Sequence, residues 1–292
     1  MLDTAALRQR ASELVRSRYA VCRGHEVHFM DWGRPDAPPL FMWHGLARCG
    51  RDFDPIASAL SHKWRVICPD QIGRGLSQWS GAPEQDYCLE SYAAIAAALA
   101  DSLGLEQFDW VGTSMGGALG MVAAATNLRG RLRRLVVNDI GPSLPRPAVD
   151  RIRAYAGSPP AFERFTDFEG WIRLVYEPFG THSDAQWRHL AETTCRRLPD
   201  GRVSAHYDPR IVAQFEAHPE DYERWGLYDT LALPLLVLRG ASSDLLLPDV
   251  ASEMGRRGPR AQVVEIPGCG HAPGLNTPEQ IGIVEAFLDA RP

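Results

Sequence analysis

At 292 residues, 45% of them hydrophobic, the chain has room for one core domain of average to large size plus an insertion, with enough apolar side chains to bury a sizeable core. A formal net charge of −5 argues against a general nucleic-acid binder. The six cysteines form no Cys-x-x-Cys pair and there is no His-Glu-x-x-His run, so no metal-ligand spacing is present, and scattered thiols fit a reducing cytoplasm.

In chain order, residues 1–20 read as a short amphipathic helix with Leu7, Leu14 and Val15 on its apolar side, and neither a signal peptide nor a membrane span is expected. Strand-like runs follow at 20–22, 27–32, 39–43 and 65–68, then an alanine-rich helical run at 89–103 and strands at 109–112 and 135–138. Between 141 and 230 the composition changes. Aromatic, arginine-rich helical segments such as Arg151-Ile152-Arg153-Ala154-Tyr155 and Trp171-Ile172-Arg173-Leu174-Val175-Tyr176 replace strands there. Strands return at 235–238 and 263–266, and Ile281, Val284, Phe287 and Leu288 repeat at helical spacing near the end. The alternation predicts an α/β sheet flanked by helices, with its early strands as an antiparallel edge.

Gly112-Thr113-Ser114-Met115-Gly116 lies between a strand-like run and a small-residue helical run. A turn that tight strains the serine backbone and leaves no space for side chains at the flanking positions, so Ser114 would stand exposed at the carboxyl end of a strand. An unassisted serine hydroxyl is a poor nucleophile and needs a base, which in turn needs an orienting group. Of the nine histidines, only His271 follows an apolar strand near the C-terminus in a Gly-x-Gly-His-x-Pro setting. Two acids follow strands after Ser114: Asp139, in Val137-Asn138-Asp139-Ile140-Gly141-Pro142, and Asp244, in Gly240-Ala241-Ser242-Ser243-Asp244.

As a set, these motifs resemble the α/β-hydrolase family, in which Ser, Asp or Glu, and His occur in that order. Met42-Trp43-His44-Gly45-Leu46 is similar to the family's His-Gly oxyanion loop, and Asp70-Gln71-Ile72-Gly73-Arg74-Gly75-Leu76-Ser77 to its Asp-x-x-Gly-x-Gly-x-Ser turn. The resemblance spans roughly 20–142 and 230–290. It implies an eight-stranded, mostly parallel sheet flanked by helices, a core domain at 1–142 and 230–292, and a helical cap at 143–229 inserted after the sixth strand. By the family's commoner arrangement Asp244 is the expected acid, and Asp139 is the alternative, used in relatives of the haloalkane dehalogenase type. The oxyanion would be held by the backbone N–H groups of Met115, at a helix N-terminus, and, by resemblance, of Leu46.

Serine in place of the aspartate nucleophile of haloalkane dehalogenases and epoxide hydrolases favours acyl transfer. The resemblance therefore implies a hydrolase of a small carboxylic ester or lactone, acting without a cofactor on a small molecule, with no nucleic-acid or membrane partner and a monomeric or dimeric state left open. Carbon–carbon hydrolysis of a β-diketone-like ring-cleavage product is the alternative, as is non-hydrolytic use of the fold as a receptor, lyase or perhydrolase. Arg48 and Asp52 follow the oxyanion loop closely enough that one could reach the pocket, where an arginine would suggest a carboxylate-bearing substrate and a solvated or internally paired charge is the alternative; Trp171, Tyr176, Phe179, Trp187, His189, His206, Tyr207 and Tyr228 are candidates for the inner wall of the cap.

Overall fold

The computed structural model describes residues 15–290. Its first element is a hairpin, β1 (Val15–Cys22) and β2 (His25–Trp32), paired residue by residue from Val15 with Trp32 to Cys22 with His25. Arg23 and Gly24 both have positive φ, which matches a two-residue turn to the twist of the strands. The expected N-terminal helix is thus corrected from Val15 onward, where pairing to β2 overrides the apolar spacing; its residues 1–14 lie outside the described residues.

After the hairpin come β3 (Pro39–Trp43), α1 (Asp54–Leu60), β4 (Arg65–Pro69), α2 (Leu89–Ser102), β5 (Phe108–Thr113), α3 (Met115–Ala125) and β6 (Leu132–Asn138). The insertion carries α4 (Arg146–Ala156), β7 (Ala161–Phe162), α5 (Phe165–Val175), α6 (Asp184–Thr194), β8 (Cys195–Arg197) and β9 (Val203–Ala205). The chain then returns through β10 (Leu235–Gly240), α7 (Pro248–Met254), β11 (Gln262–Ile266) and α8 (Pro278–Asp289). The eight-stranded sheet has the order β1-β2-β4-β3-β5-β6-β10-β11; β1 and β2 pair antiparallel, β2 pairs antiparallel with β4, and the rest is parallel.

Period-two alternation explains why both faces are covered. Phe41 and Trp43 of β3 enter one buried cluster, Leu40 and Met42 the other. Trp43 stacks on Trp110 of β5 with ring centroids 5.0 Å apart. The insertion is not purely helical: β7, β9 and β8 form a small antiparallel sheet. Backbone hydrogen bonds strap the insertion to core loops, Gly270 N–H to Pro178 O at 2.8 Å, Gly75 N–H to His206 O at 3.1 Å and Arg224 N–H to Pro142 O at 2.6 Å. No helix among the described residues is long and apolar enough to cross a membrane.

Candidate active site

Ser114 joins β5 to α3 with φ 53° and ψ −121°, a conformation that costs an L-residue on the order of 1–3 kcal/mol. The flanking glycines are required by space. A Cβ on Gly116 would lie 1.9 Å from the Trp43 carbonyl oxygen, and one on Gly112 would lie 2.1 Å from that of Gly116. The turn is held by Ser114 N–H donating to Asn138 O at 2.8 Å, so β6 fixes the position of the serine as much as β5 does.

The Ser114 hydroxyl lies 2.9 Å from His271 Nε2, and His271 Nδ1 lies 2.7 Å from Asp139 Oδ2. A carboxylate only accepts, so Nδ1 carries the proton and Nε2 is left to accept from the serine. The acid beside His271 is therefore Asp139. Asp139 has φ 59°, which turns its carboxylate inward, and it is fully buried. There it also accepts from Gly240 N–H at 2.7 Å and from Ser243 Oγ at 2.6 Å. The expectation for Asp244 is corrected: its carboxylate is half-exposed and paired with Arg151 of α4. The loop after β10 still reaches this cluster, through the Gly240 N–H and Ser243 Oγ donors to Asp139.

Met115 is the first residue of α3, so its N–H has no acceptor one turn earlier within the helix. The loop carrying Leu46 lies alongside, since a Cβ on Gly45 would sit 3.5 Å from Ser114 Cβ. His44 is engaged at both nitrogens, Nδ1 with Gly45 O at 2.7 Å and Nε2 with Gln71 N–H at 2.9 Å, and anchors that loop. Arg74 was part of a recognised motif but had no assigned role from sequence. Its buried guanidinium donates to Leu46 O at 2.7 Å and Tyr92 Oη at 2.7 Å and lies 3.5 Å from Met115 Sδ, bracing both segments; no linear spacing signals this.

A family model described as the alpha/beta hydrolase fold matches residues 38–278. The chain belongs to the α/β-hydrolase family. Among relatives of this α/β hydrolase, a 3-hydroxybutyrate-oligomer hydrolase of Cupriavidus necator is 39% identical over 274 residues, covering 90% of this chain and 93% of that one. A 2-(acetamidomethylene)succinate hydrolase of Mesorhizobium japonicum is 29% identical over 256 residues, covering 87% and 88%. A crystallised α/β hydrolase of Novosphingobium aromaticivorans superposes with a TM-score of 0.84 at 35% identity, covering 94% and 98%. The protein is thus a hydrolase.

Ser114 and His271 open into a cavity of about 610 Å³, whose wall includes Arg48, Asp52, Tyr155, Tyr176 and Phe179. A smaller cavity of about 260 Å³ shares Asp52, Thr113 and Phe179 with it. Of the aromatic candidates, Tyr176 and Phe179 line the larger cavity. Trp171 does not: it packs on Phe162 and Phe168 inside the insertion. Trp187 stacks on His182 at 4.4 Å, and Tyr207 is buried beside Arg74, so neither reaches the wall. Packing within the insertion absorbed Trp171 and Trp187, and packing against the core turn that carries Arg74 absorbed Tyr207.

A second Ser–His–Asp chain exists elsewhere. Ser17 Oγ lies 2.8 Å from His28 Nε2, and His28 Nδ1 lies 2.7 Å from Asp70. Burial alone would raise the Asp70 pKa, yet the hydrogen bond and charge of His28 hold it below the ordinary value. Ser17 sits inside β1, opposite Met30, in regular strand pairing. No helix begins there to leave backbone amides unpaired, whereas one begins at Met115, directly after Ser114.

Burial pushes the pKa of His44 down to about 4, against the partial opposition of Asp70, and burial pushes that of His206 down to about 4. Both start from an ordinary value of 6.5. Between those values the unfolded chain binds protons that the native state refuses, so stability is full above pH 6.5 and declines as pH falls. Each group contributes a slope of up to about 1.4 kcal/mol per pH unit. The urea midpoint should therefore drop on acidification from pH 6.5 to 5, with a shallower slope in His44→Asn. A slope in His44→Asn as steep as that of wild type would contradict the buried neutral state of His44.

Proposed function

We propose that the protein is a serine hydrolase of small carboxylic esters, and that its substrate is a short hydroxyacyl ester of the 3-hydroxybutyrate-oligomer kind. The observation that carries the reading is the 2.9 Å and 2.7 Å relay from strained Ser114 through His271 to buried Asp139. Ser114 Oγ attacks the ester carbonyl as His271 Nε2 takes its proton, and Asp139 stabilises the resulting imidazolium. The Leu46 and Met115 amides receive the oxyanion, with the dipole of α3 reinforcing the second. His271 then protonates the departing alkoxide. Water, deprotonated by the same ring, attacks the acyl-serine ester and releases the acid. Residues 143–229 act as a cap that limits water in the cavity and shapes it for substrate.

The substrate class rests on the 39% identity with the Cupriavidus enzyme across nearly the full length of both chains. Carbon–carbon hydrolysis has less support, because the residues after His44-Gly45 are Leu46-Ala47-Arg48 rather than a glycine run. A silent receptor would have no need of the relay. The deciding experiment offers 3-hydroxybutyrate dimer and trimer, a simple lactone and a vinylogous diketone to the purified protein, with products followed by chromatography. Release of 3-hydroxybutyrate monomer from the oligomers, with the diketone inert, is the expected result. Turnover of the diketone with the oligomers untouched would reverse the assignment.

A further inference from the structure

Arg48 is the one charged side chain of the cavity wall that is both nearly fully buried and incompletely satisfied among the described residues. A guanidinium carries five N–H donors in a planar fork. Asp52 takes one edge of that fork, accepting from Nε at 2.8 Å and from Nη2 at 2.6 Å. Nη1 is buried with no protein acceptor. The plane is held from the side by Tyr176, whose ring centroid lies 4.3 Å from Cζ, so the fork cannot rotate freely to find another partner.

Its position relative to the reacting serine is close. The Cβ point of Gly45 is 3.5 Å from Ser114 Cβ and 3.8 Å from Arg48 Cγ, so the stem of Arg48 and the serine both lie against one small residue, and both line the same cavity. Asp52 keeps the guanidinium charged despite burial, and it occupies the edge away from the free donors. What remains is Nη1 and the second hydrogen of Nη2, two parallel N–H vectors with the spacing of a carboxylate. A carboxylate meets each with its own oxygen and with charge assistance, whereas a neutral carbonyl offers one uncharged oxygen to share between them.

We infer that Arg48 is the receptor for a free carboxylate on the substrate, seated on the Nη1–Nη2 edge of its guanidinium, and that it selects esters that carry an acid a few bonds from the scissile carbonyl. The inference rests on the serine-hydrolase reading above and assigns its specificity. In a hydroxybutyrate dimer the acid belongs to the leaving alcohol, so the leaving group is held while the ester bond breaks. Asp52 has a positioning role: it aims the fork and balances its charge before substrate arrives.

The test compares 3-hydroxybutyrate dimer as the free acid with its methyl ester at the terminal carboxyl, in wild type, Arg48→Lys and the charge-neutral double variant Arg48→Met/Asp52→Leu. Wild type should favour the free acid by about 10- to 100-fold in kcat/KM, chiefly through KM, as expected for a lost charge-assisted pair. Arg48→Lys, which keeps the charge but loses the fork, should fall between, and the double variant should bring the ratio near one. A second measurement needs no variant: free 3-hydroxybutyrate should inhibit wild type at least about tenfold more tightly than its amide. An unchanged ratio in folded variants, or equal inhibition by acid and amide, overturns the assignment while ester turnover itself persists. Failure of wild type to cleave either dimer, or p-nitrophenyl acetate, would overturn the hydrolase mechanism and the inference together.

Discussion

Asparagine in place of Asp139 should lower kcat on a short ester by about 10⁴-fold, the scale seen when the acid of such a relay becomes an amide. The reason is local. Oδ1 accepts from Gly240 N–H, so the asparagine oxygen would keep that bond and its NH₂ would face His271 Nδ1 and Ser243 Oγ. A donor would then oppose the Nδ1 proton, and the ring would be driven to the tautomer that cannot accept from Ser114. Asparagine tolerates the left-handed backbone at this position, so the fold should survive and the loss should be one of rate. Asp244→Asn is the matched control. It removes an exposed pair with Arg151, worth about 0.2–1 kcal/mol, and kcat should stay within about threefold. Steady-state rates of both variants decide the matter; a collapse in Asp244→Asn with Asp139→Asn intact would refute the assigned relay.

Ser114→Ala should cost about 10⁶-fold in kcat, leaving only the turnover that the oxyanion donors and binding provide. The strained turn already holds a residue with a Cβ, so alanine adds no clash, and melting temperature should change little. The companion measurement is covalent labelling by a fluorophosphonate with peptide mapping. Wild type should carry the label on Ser114 and the variant should carry none. Label on Ser17 in either protein would mean that a serine–histidine–aspartate chain on a regular strand suffices for activation, and the weight placed on the turn and its amides would be misplaced.

The two predictions differ in how far their residues could be read from the chain. Ser114 and His271 were legible because their signals are local: a glycine-flanked serine at a strand-to-helix junction, and a histidine after the last strand-like run. The alternating strands and helices, and the change of composition near residue 141, were legible for the same reason. Asp139 and Asp244 looked alike because each ends a strand and opens a turn. Strands β6 and β10 are neighbours, pairing Leu135 with Leu235 through Asn138 with Leu238, so both acids arrive at the same edge of the sheet.

What the amino-acid sequence by itself determined was therefore the periodicity of the elements, the sharp turn at Ser114 and a histidine placed just after the last strand. Each depends on residues a few positions apart. Tertiary structure alone decided which acid meets the base, because backbone dihedrals at residue 139 aim that carboxylate inward while an arginine from the insertion draws residue 244 outward. It also decided that Tyr176 faces the cavity whereas Trp171 packs on Phe162, and that Arg48 keeps donors free after pairing with Asp52. Side-chain direction between distant segments is set by packing, and a one-dimensional pattern does not contain it.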